Sequence, residues 1–246
     1  MKFRLWHIVV FVIALAAFAA ARAPIGAFVK ERPGLFTYGS ASGTVWSGRF
    51  TDVALGPYQA RTMTWRLSLL ELVQSRMYAD ITFDEGTIRG AVRLLGNLRG
   101  DRRLITHDLV VQGVPLGDSG IMLPGDTTLR GVDILFEEGR CTQAAASVHS
   151  DVLQRSSESL SWRGPILRGD ARCEGDAALV DLAGVTRQDE RVAALLDLRP
   201  DGSGGWRAMV RTEDPQGRAA LAAAGFQVDA AEGGLVRTGE LRWFPY

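Results

Sequence analysis

Residues 43–67 read GTVWSGRFTDVALGPYQARTMTWRL. A short unit with Gly at each end, Gly43–Gly48, opens the stretch. Apolar and polar side chains then alternate toward Leu55, and again from Arg61 to Leu67. A two-residue period sends alternate side chains to opposite faces, which is the pattern of a half-buried strand. Two such runs in 25 residues, joined by a tight turn, predict a hairpin.

The same theme continues downstream. Gly86–Gly90, Gly164–Gly169 and Gly234–Gly239 are further Gly-bounded units, and Thr127–Gly131 follows the same theme, each followed by alternation. Their spacing is about 40 residues with one doubled gap, too loose to establish a sequence repeat. Strands are expected at Thr44–Leu55, Arg61–Leu67, Ala79–Phe83, Thr87–Leu94, Leu104–Val111, Thr128–Glu137 and Ala144–Val152. They continue at Ser159–Trp162, Ile166–Glu174, Ala177–Val185, Arg191–Leu198, Trp206–Thr212 and Glu240–Phe244.

Two stretches break the alternation. In Ser68–Met77, Leu69, Leu70, Val73 and Met77 recur at helical spacing, and Ser68 with Glu71 forms a capping box. In Asp214–Gly225, Asp214 can cap, Pro215 suits the first helical position and Gly225 is a natural stop. The expected class is all-β, mainly antiparallel, with two short helices. Alternation alone fits either one extended, twisted or curved sheet or two packed layers.

Upstream lies a different kind of sequence. Lys2 and Arg4 precede the apolar run Leu5–Ala21, and Arg22 follows it. Such a run, at about 1.5 Å per residue, is just long enough to cross a bilayer's hydrocarbon core. Positive charge at its start keeps the N-terminus in the cytoplasm. A cleaved signal peptide is the alternative, with Ala21-Arg22-Ala23 as its best site, but Pro24 would stand directly after the cut. A buried helix of a soluble protein is a third reading. His7 is read as interfacial. The expected organisation is a cytoplasmic tip and transmembrane anchor at 1–23, a periplasmic connector at 24–42 and a β-rich periplasmic domain at 43–246.

Composition excludes several classes. The chain has 28 basic and 28 acidic residues; without Lys2, Arg4 and Arg22 the rest carries a net charge of −3. That is no field for nucleic acid. Cys141 and Cys173 are the only cysteines. Their separation fits no compact metal motif, and beyond the membrane a structural disulfide is the default, with two buried free thiols as the alternative.

Catalytic constellations are missing from the sequence. It has no nucleophile elbow, phosphate loop, dinucleotide fingerprint or zinc-protease helix motif. Ser40, Ser42 and Ser119 sit in Gly-rich turns without a strong base nearby. His107 and His149 lie in expected strands beside Asp108 and Asp151, and are read as exposed or satisfied strand histidines. Asp84-Glu85 and Glu137-Glu138 precede glycines and read as solvated turns; with Asp80 they lack the calcium-loop pattern. Trp46, Trp65, Trp162, Trp206 and Trp243 are read as packing residues. No catalytic, cofactor-binding or metal residue is therefore assigned, and no cofactor is expected.

The anchor, the connector and then Ala41–Phe50, ASGTVWSGRF, resemble the N component of bacterial type II secretion systems, the general secretion pathway N family. The resemblance continues at Met63–Leu67, the Leu-rich segment 68–77, Gly86–Gly90, Cys141 after its Gly turn, and Ser161–Gly175 with Cys173. It implies a non-catalytic accessory protein of the inner membrane that serves export of folded proteins from the periplasm. Its partners would be other secretion components of the inner-membrane platform or periplasm, with the bilayer contacted through residues 5–21. A Gly-Thr-Val-Trp-x-Gly start also resembles membrane-tethered AsmA-like proteins, so a lipid-binding or lipid-transfer module is the alternative. A periplasmic enzyme is a distant third.

Overall fold

The computed structural model describes residues 22–27, 29–97, 99–115, 122–157, 162–229, 231 and 233–242. The expected anchor, Trp243 and Ser119 lie outside these residues, as does most of the expected strand Ser159–Trp162. Among the described residues no helix is long and apolar enough to cross a membrane.

Fifteen strands form one antiparallel sheet. They are β1 (Phe36–Thr37), β2 (Ser40–Gly43), β3 (Ser47–Leu55), β4 (Tyr58–Leu67), β5 (Arg76–Gly86), β6 (Ile88–Asn97), β7 (Arg102–Pro115) and β8 (Met122–Glu137). The second half has β9 (Arg140–Ser150), β10 (Leu167–Glu174), β11 (Ala177–Val185), β12 (Arg191–Leu198), β13 (Ser203–Arg211), β14 (Gln227–Asp229) and β15 (Gly234–Arg242). From β3 to β13 every strand pairs with its sequence neighbour. At one edge β1 and β2 both pair β3; at the other β15 pairs β13 and carries β14. The order follows from short connections: a two-residue turn leaves the next strand nowhere to go but alongside. Glu138 and Gly139, both at positive φ, make such a turn between β8 and β9.

The choice between one sheet and two layers is settled in favour of one open, twisted sheet. A lone flat sheet would leave both faces wet, yet Phe136 and Ala178 are fully covered. Register shifts in β6/β7, β7/β8 and β8/β9 supply the local extra twist that coils the sheet about its own apolar face. Phe136, Ile134, Ala178 and Leu198 thus share one cluster drawn from β8, β11 and β12. A second cluster, with Phe50, Val53 and Trp65, lies under the N-terminal segment; Ile25 is buried in it and Phe36 and Tyr38 pack on it.

The helices differ in part from expectation. The helix α1 spans only Leu69–Val73, not Ser68–Met77. Ser68 caps it through the Glu71 N–H, but Ser75 turns to φ +61° and the chain enters β5 at Arg76. Met77 is consequently a strand residue opposite Gly96, because the β5–β6 ladder claims its backbone. A four-residue helix α2, Val152–Arg155, stands where a strand was expected to run on to Val152. Asp151 breaks that strand: its carboxylate accepts from the Asp126 N–H and pairs with Arg155. The helix α3, Pro215–Ala223, matches its expectation at both ends. Asp214 accepts from the N–H groups of Gln216 and Gly217. At the far end Gly225 donates to Ala222 and Phe226 to Leu221, the paired closure that a left-handed glycine permits.

Candidate interaction surfaces and the disulfide seam

Within the meander from β3 to β13 the shortest ladder lies between β9 and β10. Only four residue pairs are in register there, from Leu167↔Ser150 to Asp170↔Ser147. Beyond Asp170 the two strands are held by Cys141–Cys173, whose Cα atoms are 5.5 Å apart. Both cysteines belong to the covered apolar cluster of Phe136 and Ala178. The bridge therefore closes the seam between the two halves of the sheet from inside.

At the opposite end of the strands a third cluster is capped by α2, α3 and Trp162. Its organising polar group is Glu190, a carboxylate only 8 % exposed. Trp162 Nε1–H donates to its Oε2 at 3.0 Å, Thr186 donates to the same oxygen at 3.3 Å, and Thr212 donates to Oε1. One acid thus ties together the segment before β10, the turn before β12 and the exit of β13. Sequence reasoning missed it, because Glu190 looks like an ordinary turn acid until Trp162 is brought over it. A depression of about 790 Å³ beside it is lined by Asp189, Arg211, Glu213, Asp214, Arg218 and Asp229 among others.

The other residues singled out in the sequence fall into place without converging. His107 and His149 are exposed strand residues. Asp108 faces Arg130 at 3.8 Å, and Asp151 serves α2, so neither acid orients a histidine. Glu85 pairs with Arg61 at 2.8 Å. Burial pushes the Asp80 carboxyl up, but hydrogen bonds from Arg93 and Tyr78 bring it below the ordinary range. Arg103, in a two-point bond at 2.7 Å, holds Asp133 below that range despite burial, with Gln143 assisting. Among the described residues, no three His, Cys, Asp or Glu side chains gather as a metal site would need.

Two tryptophans cover glycines across the ladder. Trp65 lies opposite Gly48 and Trp206 opposite Gly239, and a Cβ on either glycine would meet the facing ring at less than 3.0 Å. An aromatic over a glycine restores the apolar cover that the glycine lacks. Trp65 also stacks with Phe50, ring centroids 4.5 Å apart.

The sheet ends differently at its two edges. β14 covers β15 only from Gly234 to Val236. Among the described residues, no strand pairs the outer edge of Arg237–Arg242. An open edge presents unpaired N–H and C=O groups to any extended segment that approaches it.

The model of the family described as Type II secretion system (T2SS), protein N, matches residues 35–235, from the residue before β1 into β15. The chain belongs to this family. No curated protein and no solved structure matches it. As a type II secretion N protein it is a non-catalytic accessory component of that system, associated with the inner membrane and periplasm. The match ends at Leu235, the second residue of β15, so Val236–Arg242 lie beyond it.

Proposed function

We propose that this N-family protein is a single-pass inner-membrane protein, anchored by residues 5–21 with its N-terminus in the cytoplasm. Residues 24–42 connect the anchor to a periplasmic domain at 43–246 and join its sheet through β1 and β2. In this reading the domain is a docking platform for other components of the secretion machine. The observation that carries it is the outer edge of β15 at Arg237–Arg242, which no strand pairs among the described residues. An extended segment of a periplasmic or platform component would add there as a further strand, with main-chain hydrogen bonds giving affinity. The lipid-carrier alternative calls for apolar side chains around an open groove, whereas the depression beside Glu190 sets Arg211, Glu213 and Arg218 among Val210, Val228 and Leu235.

A photo-crosslinking residue at Thr238 of the full chain, expressed in its native host, tests the reading. Capture of another secretion component at Thr238, and none from a matching probe at exposed Glu174, is the expected result. Capture of no secretion component, in cells that secrete normally without the protein, would refute it.

A further inference from the structure

Seven large apolar side chains are strongly exposed among the described residues, and four of them, Leu69, Leu70, Leu72 and Met77, are gathered at α1. Their exposures run from 42 % to 69 %. The other three, Leu35, Val185 and Val228, sit singly at the far end of the strands, beside Gly56, Arg191 and Leu235 respectively. Scattered single residues of that kind need no explanation, but a cluster does.

The position of the cluster suggests what covers it. Ala23 C=O accepts from Val45 N–H at 3.0 Å, and Pro24 bridges to Thr44. The next residue, Trp46, accepts from Leu67 N–H at 2.6 Å, and α1 begins two residues later. Along this path the apolar tip lies within about 20 Å of Ala23. The link is packed as well as hydrogen-bonded, because Ile25 and Leu67 join the cluster of Phe50 and Trp65. Ala23 stands two residues after the end of the apolar run 5–21. Exposed Arg66 and Arg76 flank α1, and exposed Arg99 lies in the neighbouring turn, past Asn97, which faces Arg76.

We infer that α1 with Met77 is an interfacial membrane contact that dips into the periplasmic leaflet of the bilayer spanned by residues 5–21. The inference rests on the proposed anchor. Leucine and methionine side chains enter the boundary of the acyl chains, while Arg66, Arg76 and Arg99 meet lipid phosphates. Two points of attachment fix orientation where one tether would not. The sheet stands with its α1 end on the membrane and its α2–α3 end about 30 Å or more into the periplasm, the length of a nine-residue strand.

The test uses the full chain in vesicles of phosphatidylethanolamine and phosphatidylglycerol containing bromine-labelled acyl chains. Both native cysteines are bonded, so an environment-sensitive fluorophore can be placed on Leu70→Cys, Val228→Cys or Ala23→Cys in turn. Quenching at Leu70→Cys at least threefold stronger than at Val228→Cys is expected. Equal, weak quenching at both, with Ala23→Cys quenched, leaves the anchor standing and overturns the contact. Disulfide-linked dimers of Leu70→Cys would show a second copy over the tip, and also overturn it. A chain that fails to float with the vesicles removes the anchor, and the contact falls with it.

Discussion

Glu190 shows how much one side chain can organise here. Its two oxygens hold Trp162, Thr186 and Thr212, three donors from three separate segments. Glu190→Ala would strand those donors in a covered site, at a cost of roughly 2–4 kcal/mol. A lowered urea midpoint with unchanged slope is the expected outcome. The three-way node was not legible in the sequence, since Trp162 and Glu190 lie 28 positions apart and meet only through the fold. The carboxylates Asp133, Asp80 and Asp101 make a second prediction. Each is held below the usual carboxyl range in the folded state; for Asp101 the Glu138 N–H and the Asn97 amide are the cause. The folded protein therefore binds fewer protons than the unfolded one at mildly acidic pH. Their contribution is complete above the unfolded value of about 3.9 and fades as pH falls through the folded values. Melting temperature should hold from pH 8 to 5 and drop below about pH 4, and Asp133→Asn should make that drop shallower.

Among the elements, strands were the most legible. Ala177–Val185 and Arg191–Leu198 have the expected bounds, and from Val180 to Val185 covered or half-covered positions alternate with exposed ones. The strands β1, β2 and β14 escaped notice: at two to four residues they are too short to show a period, and exist only because β3 and β15 offer an edge. α1 was drawn too long because periodicity cannot tell when a neighbouring ladder will take over the backbone. Of the candidate site, the two cysteines were legible from compartment chemistry, whereas the short β9–β10 ladder they reinforce was not. That ladder sets the third prediction. Replacing both cysteines by serine should cost roughly 3 kcal/mol, and lower the melting temperature by about 6–12 °C. Calorimetry would check it; a shift under about 2 °C would mean the four-pair ladder holds the halves together unaided.

The whole molecule is a sheet whose two ends face different surroundings in the proposed topology. Val228→Cys, at the end away from the anchor, should react with a membrane-impermeant maleimide in cells whose inner membrane is intact. Reaction only after that membrane is permeabilised would reverse the orientation. Amino-terminal sequencing that begins near Pro24 would instead identify a released periplasmic protein.

The neighbour-by-neighbour strand order has a kinetic side. In the proposed topology the residues nearest the anchor emerge first, so the domain becomes available to fold from its N-terminal end onward. Here β3 can pair with β4 as soon as both have emerged, β5 can add to β4, and no strand between β3 and β13 waits for a partner made much later. Loop closures of this kind are short and fast compared with those of interleaved sheets. Each strand is briefly the growing edge, open to mispairing, until its successor arrives. The half-finished product is thus an ordered sheet with one live edge, and an external oxidant can join the Cys141 and Cys173 thiols into their bridge only after β10 has joined.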